Sequence, residues 1–130
     1  MKIKSATVLL APMAILFLSA STFAHHGVAT YNMTKEVTVK GVVTNFEFIN
    51  PHAEIYIDGK DDKGDMQHWI GEMTTPNMLS RRGWSKESLK VGDQVTVIGN
   101  PAKDGKLAMR VEKVTLADGR VLDPNGNDYR

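Results

Sequence analysis

The 130-residue chain contains no cysteine. No disulfide can brace it and no thiolate can ligate a metal, so a metal site would have to use nitrogen, carboxylate oxygen or thioether. It lacks an excess of basic charge, with a formal net charge of +1 that includes Lys2 and Lys4. A chain without those two lysines carries 14 basic against 15 acidic side chains, about −1. That balance, with no basic stripe, excludes a surface built for polyanions, so no nucleic-acid partner is expected. The sequence holds no Gly-x-Ser-x-Gly, no His-Glu-x-x-His, no phosphate loop and no nucleophile beside a base. Glu47, Glu54, Asp58 and Glu72 are isolated carboxylates on expected strands, where they are usually solvated, and no enzyme is expected. Met33, Met66, Met73, Met78 and Met109 are scattered and form no Met-x-x-Met cluster for Cu(I), which suits gap-filling in a core.

Long apolar runs are also scarce, with one exception. Ala6 to Ala20 reads ATVLLAPMAILFLSA behind Lys2 and Lys4, and STFA follows with small residues at Ser21, Thr22 and Ala24. This is the three-part pattern of a secretory signal. The run is shorter than the ~18 to 20 apolar residues a spanning helix needs, Pro12 interrupts it, and no comparable stretch follows. Cleavage after Ala24 is expected, because cutting after Ala20 would put Leu18 where a small residue is wanted. The expected product is periplasmic or secreted, has no membrane span, and begins at His25. Its 106 residues suit one small domain.

The rest of the chain alternates in the way of strands. EVTVKGVVTNFEFIN (36–50) reads as one long curved strand, with Gly41 where a bulge or bend would fall. HAEIYID (52–58) alternates Ala53, Ile55 and Ile57 against polar neighbours, and a GKDDKGD turn leads into MQHWIGEM (66–73). TPNMLSRRGW (75–84) predicts a short helix, with Thr75 to cap it, Pro76 at its first position and Gly83 to end it. Two more strands are predicted in LKVGDQVTVIGNPA (89–102) and AMRVEKVTLADGRVL (108–122), the latter turning at Asp118-Gly119. Strand, strand, strand, helix, strand, strand is the order of the OB-fold, a five-stranded Greek-key barrel; an open antiparallel sandwich is the competing architecture. The expected organisation is a signal over 1–24, an N-terminal segment over 25–35, an all-β barrel with one short helix over 36–122, and a tail over 123–130. The alternation predicts a core of Val39, Val43, Ile55, Ile57, Ile70, Leu79, Val95, Val97, Val111 and Val114.

The segments HHGVATYNMTKEVTVKGVV, FEFINPHAEIYI, GEMTTPNMLSRRGW, LKVGDQVTV and LADGRVL resemble a family of small exported bacterial proteins of unknown function, family 6152. The resemblance covers essentially all of residues 25 to 122. It implies architecture and export more than activity, and singles out the family's paired histidine, here His25-His26, and its Asn-Pro-His, here ending in His52. Two departures stand out: the usual His-His-Ser reads His25-His26-Gly27, and His68 stands where the family has another residue.

A first-residue histidine is a chelator. Its α-amine and ring Nδ1 can take one metal ion and a second imidazole can complete a three-nitrogen set, which on the Irving–Williams order favours Cu(II) over Zn(II). Such a site resembles the histidine brace of copper-carrier proteins and lytic polysaccharide monooxygenases. His52 is the better second imidazole, since the side chains of adjacent His25 and His26 are thrown to opposite sides of an extended backbone. The expectation is therefore a small binding protein, with copper or another divalent metal at His25, His52 and His26. Two alternatives stay open. One is a metal-free module binding a glycan, a peptide or a periplasmic partner protein through the face of the second and third strands, where Tyr56 and Trp69, with Phe46 or Phe48, could form stacking platforms. The other is a small copper-dependent enzyme.

Overall fold

Alternating β-branched residues and turn glycines produce six strands and one α-helix, with a short 3-10 helix at Val28–Thr30, in the computed structural model, which describes residues 28–126. The expected signal over 1–24, His25, His26 and residues 127–130 lie outside the described residues. The strands are β1 (Val37–Glu47), β2 (Glu54–Lys60), β3 (Met66–Glu72), β4 (Gln94–Pro101), β5 (Ala108–Leu116) and a two-residue β6 (Val121–Leu122), with helix α1 (Pro76–Arg81) between β3 and β4. The sheet runs β3-β2-β1-β4-β5-β6, and a parallel pairing of β3 with β5 closes it into a five-stranded barrel. Meander, helix, hairpin and closure of the third strand on the fifth make this an OB-fold.

The long first strand serves two partners. Its first half, Val37 to Val42, pairs with β4 and its second half, Gly41 to Glu47, with β2. Gly41 sits at the crossing, where a β-carbon would lie 2.2 Å from the carbonyl oxygen of Asp58. The expected bulge is displaced by a few residues: the register shifts between Val43 and Asn45. The helix forms as its termini predict. Thr75 caps it, its side chain accepting a hydrogen bond from the Met78 amide, Pro76 occupies the first turn, and Gly83 follows at φ +83°. It buries Leu79 in the core, while Met78 stays exposed.

Nine of the ten expected core residues are buried, and Ile70 is the exception at 39 % exposure. Ile70 pairs with Tyr56 on the outer face, whereas Trp69 pairs with inward-facing Ile57 and packs against the core. The inward phase of β3 thus runs through Gln67, Trp69 and Gly71. A β-carbon on Gly71 would come within 2.7 Å of side-chain carbons of Val111 and Ile55, so the barrel wall needs a residue without a side chain there. The folded unit also exceeds 36–122. Tyr31 is buried and bridges to Ala102, and the expected tail is held through Asn125: Trp84 Nε1 donates to the Asp123 carbonyl and the Arg82 guanidinium to that of Pro124.

The strand phase is testable by two substitutions in register-neighbouring strands. Ile55→Ala, which empties a fully buried site, is expected to lower unfolding free energy by about 2–5 kcal/mol. Ile70→Ala is expected to stay within about 1 kcal/mol of wild type. Denaturant unfolding measures both, and equal losses would mean that β3 is out of phase with the pairing described.

Candidate metal centre at the β2–β3 end of the barrel

His52 is in the loop joining β1 to β2, directly after a cis Asn50–Pro51 peptide. Main-chain bonds fasten the next residue to the end of β3, with the Ala53 amide donating to the Thr74 carbonyl and the Met73 amide to the Ala53 carbonyl. The imidazole therefore lies beside Glu72, the last residue of β3. His52 Nδ1 is 3.3 Å from Glu72 Oε1, within ion-pair range, and the imidazole keeps about a third of its surface exposed.

Glu72 is buried at 9 % exposure, an unusual place for a carboxylate without close partners. Its Oε2 accepts a 2.9 Å hydrogen bond from the Tyr31 hydroxyl, across 41 residues of sequence. Its Oε1 has no aligned hydrogen-bond donor among the described residues and faces His52 alone. Tyr31 is stitched down in turn: the Asn32 amide donates to the Pro101 carbonyl, the Lys103 amide to the Thr30 carbonyl, and Asn100 Nδ2 to the Lys35 carbonyl. Burial, then the hydrogen bond to Glu72 and its charge, hold the Tyr31 phenol well above the ordinary tyrosine range, so it stays a donor.

Around this group the strands carry a row of acids. Glu47 pairs with Glu54 across β1 and β2, and Glu54 with Glu72 across β2 and β3. Three carboxylates side by side on one outer face are mutually repulsive. Across the β3–β5 closure Glu72 is in register with Arg110, which sets one basic residue beside the row. The Tyr56 hydroxyl donates to Glu54 Oε2 at 2.7 Å, and Asn45 Nδ2 to Glu47 Oε1. That bond to Glu54, with burial and the charges of Glu54 and Glu47 adding to it, pushes the Tyr56 phenol up to about 12.

Of the expected site residues, the structure brings His52 next to a buried carboxylate, while His25 and His26 lie outside the described residues. Tyr56 and Trp69 are not brought together, because they project to opposite faces of neighbouring strands, and Phe46 and Phe48 pack against the core. Among the described residues these aromatics form no shared stacking platform on that face. His68 is separate: its Nδ1 meets Asp58 Oδ1 at 2.7 Å on an exposed cross-strand pair, four strand residues or about 13 Å from Glu72. Among the described residues no three histidine or carboxylate side chains gather as a metal site would need, so an ion at His52 would require ligands from elsewhere. Tyr31 escaped the sequence reading. Its only signal was an aromatic residue six positions after His25.

A match to the model of the DUF6152 family, a family of unknown function, spans residues 14–110, and the chain belongs to that family. No curated protein matches it. Among solved structures it is similar to a mitochondrial single-stranded DNA binding protein from S. cerevisiae, Rim1, at 13 % identity and a TM-score of 0.49, over 64 % of this chain and 93 % of that one.

The acidic row predicts a titration. Replacing Glu54 by glutamine is expected to bring the Tyr56 phenol down from about 12 toward the ordinary 10, measured by the ultraviolet tyrosinate signal. The folded value lies above the unfolded one, so the stability this phenol contributes is present below pH about 10 and is lost as pH rises toward about 12. An unchanged alkaline titration of Tyr56 in the variant would refute the assigned partner.

Proposed function

We propose that the protein is an exported metal-binding protein that holds a divalent ion, copper foremost, between His52 and a mature amino terminus at His25. The observation that carries this is His52 itself: its Nδ1 faces a buried carboxylate and its ring is partly open to solvent. Metal-ligating histidines characteristically donate one ring nitrogen to a carboxylate, which leaves the other nitrogen's lone pair for the ion. The N-terminal segment supplies reach. His25 is six positions before Tyr31, a contour of about 20 Å at most, and Tyr31 is tied to the same Glu72. The α-amine and Nδ1 of His25 would add two nitrogens to that of His52, with His26 as the substitute imidazole. A set of three nitrogens favours Cu(II).

The charge of the site supports a cationic ligand. Glu47, Glu54 and Glu72 line the face of the first three strands, on which OB-folds commonly bind oligomers, and phosphates would meet the wrong sign of charge there. The yeast protein of similar structure binds single-stranded DNA; this chain, on our reading, does not. A metal-free module for a glycan, a peptide or another periplasmic protein is the competing reading. It keeps Tyr56 as a surface aromatic but loses Trp69 to the core.

The test is Cu(II) affinity of the processed protein beginning at His25, by competition against a chelator of known strength. One extra residue ahead of His25 removes the α-amine as a ligand and is expected to weaken binding by orders of magnitude at an unchanged apo melting temperature. His52→Ala is expected to weaken it comparably and His68→Ala hardly at all, and acidification from pH about 7 to about 6 to release the ion as ligands take up protons. Equal affinity with and without the extra residue would defeat the chelating terminus and leave the metal-free module.

A further inference from the structure

We propose that the outer wall of the barrel carries a ligand site of its own, a groove across β2, β1, β4 and β5 that takes a small amphipathic anion, its carboxylate or phosphate head held between Lys40 and Lys60. The proposal goes beyond the metal reading and uses none of its residues.

The groove has a volume of about 630 Å3, within the range of small-molecule sites. It forms where β1 changes partners. Gly41 pairs with Gly59 of β2 on one side and with Val95 of β4 on the other, and Val95 pairs in turn with Leu116 of β5, so four strands are in register at one level. The next level up faces outward. Lys40 and Lys60 each stand one position from the Gly41–Gly59 pair, on the same side of it because the strands are antiparallel, which sets the two lysines across from one another. Lys40 pairs with Thr96, and Thr96 with Thr115. Two ammonium groups and two hydroxyls therefore form a row across the outer face, and all four side chains line the groove.

The protein leaves this row unanswered. Among the described residues neither lysine side chain has an ion-pair or hydrogen-bond partner, nor has either threonine hydroxyl. Asp58 lines the same groove, but its Oδ1 is taken by His68 Nδ1 at 2.7 Å. Like charges on adjacent strands repel, and an anion between them relieves that repulsion while accepting charge-assisted hydrogen bonds. Apolar surface is at hand for the rest of the ligand. Val42 and Met66, two of the large apolar side chains the barrel leaves exposed, line the groove with Leu116 and Ala117. A bare inorganic ion would leave that surface wet, so the occupant that fits both features is an anion with an apolar body. The far end of the same face repels it: Glu54 shares the outward phase of β2 with Lys60 and lies six residues, about 20 Å, away.

The test is a nuclear magnetic resonance titration of the processed protein, which keeps every residue of the groove, with octanoate and octyl phosphate as probes and octylamine as the cationic control. Saturable amide shifts are expected at Gly41, Gly59, Thr96 and Leu116 with at least one of the two anions, the tighter of them naming the head group, and none there with octylamine. Lys40→Gln and Lys60→Gln alter exposed side chains and are expected to keep the wild-type melting temperature. Each is expected to raise the dissociation constant about 3-fold, and the two together about 10-fold. Lys103→Gln, in the turn between β4 and β5, is expected to leave it unchanged. No saturable shift in the groove with either anion, equal binding of octylamine, or wild-type affinity in the double variant would overturn the proposal.

Discussion

Three parallel residue pairs, Ile70 to Glu72 of β3 against Ala108 to Arg110 of β5, convert the sheet into a barrel. Much of the rest depends on that short seam. It removes the edges that an open sheet of this length would leave unpaired, which matters in a chain with no disulfide to reinforce it. It requires Gly71, since any side chain there would meet Val111 and Ile55. And it ends in Glu72, so the closure that completes the fold also delivers a carboxylate to one rim, beside Arg110 and beneath Tyr31.

That carboxylate creates an electrostatic problem which the local chemistry relieves only in part. Like charges in register cost stability, and Glu47, Glu54 and Glu72 are in register across three strands. Neutral donors answer most of the demand: Tyr31 for Glu72, Tyr56 for Glu54, Asn45 for Glu47. A hydrogen bond satisfies an oxygen without cancelling its charge. The row of acids therefore keeps its like charges in register along the rim.

Much of this was legible in the sequence, and the failures have physical causes. Capped and stopped by Thr75 and Gly83, the helix was readable to within a residue, and period-two alternation located eight buried strand positions beside Leu79 on the helix. In MQHWIGE both phases offer apolar side chains, Met66 and Ile70 on one, Trp69 on the other, and the deciding inward residue is Gly71, which has no side chain to count. Alternation alone could not choose between them. The same slip coupled Tyr56 to Trp69 as a platform, since residues that look adjacent in a strand pair face opposite ways once the register moves by one. His52 could be singled out from its Asn-Pro-His context, but its partner could not. The Tyr31–Glu72 bond spans 41 residues and belongs to no period, so only the closed barrel makes it visible.

The position of His52 has a consequence for how a metal and the fold would be linked. A histidine in a free loop would lose rotamer and backbone entropy on coordinating an ion. Here Ala53 is already paired to Met73 and Thr74, and Nδ1 already faces a fixed carboxylate, so much of that ordering is complete in the barrel before any ligand arrives. The amino-terminal segment is fixed at Tyr31, which bridges to Ala102. On the metal reading, then, the barrel offers an imidazole whose placement costs little further ordering, and that cost falls on the other ligands.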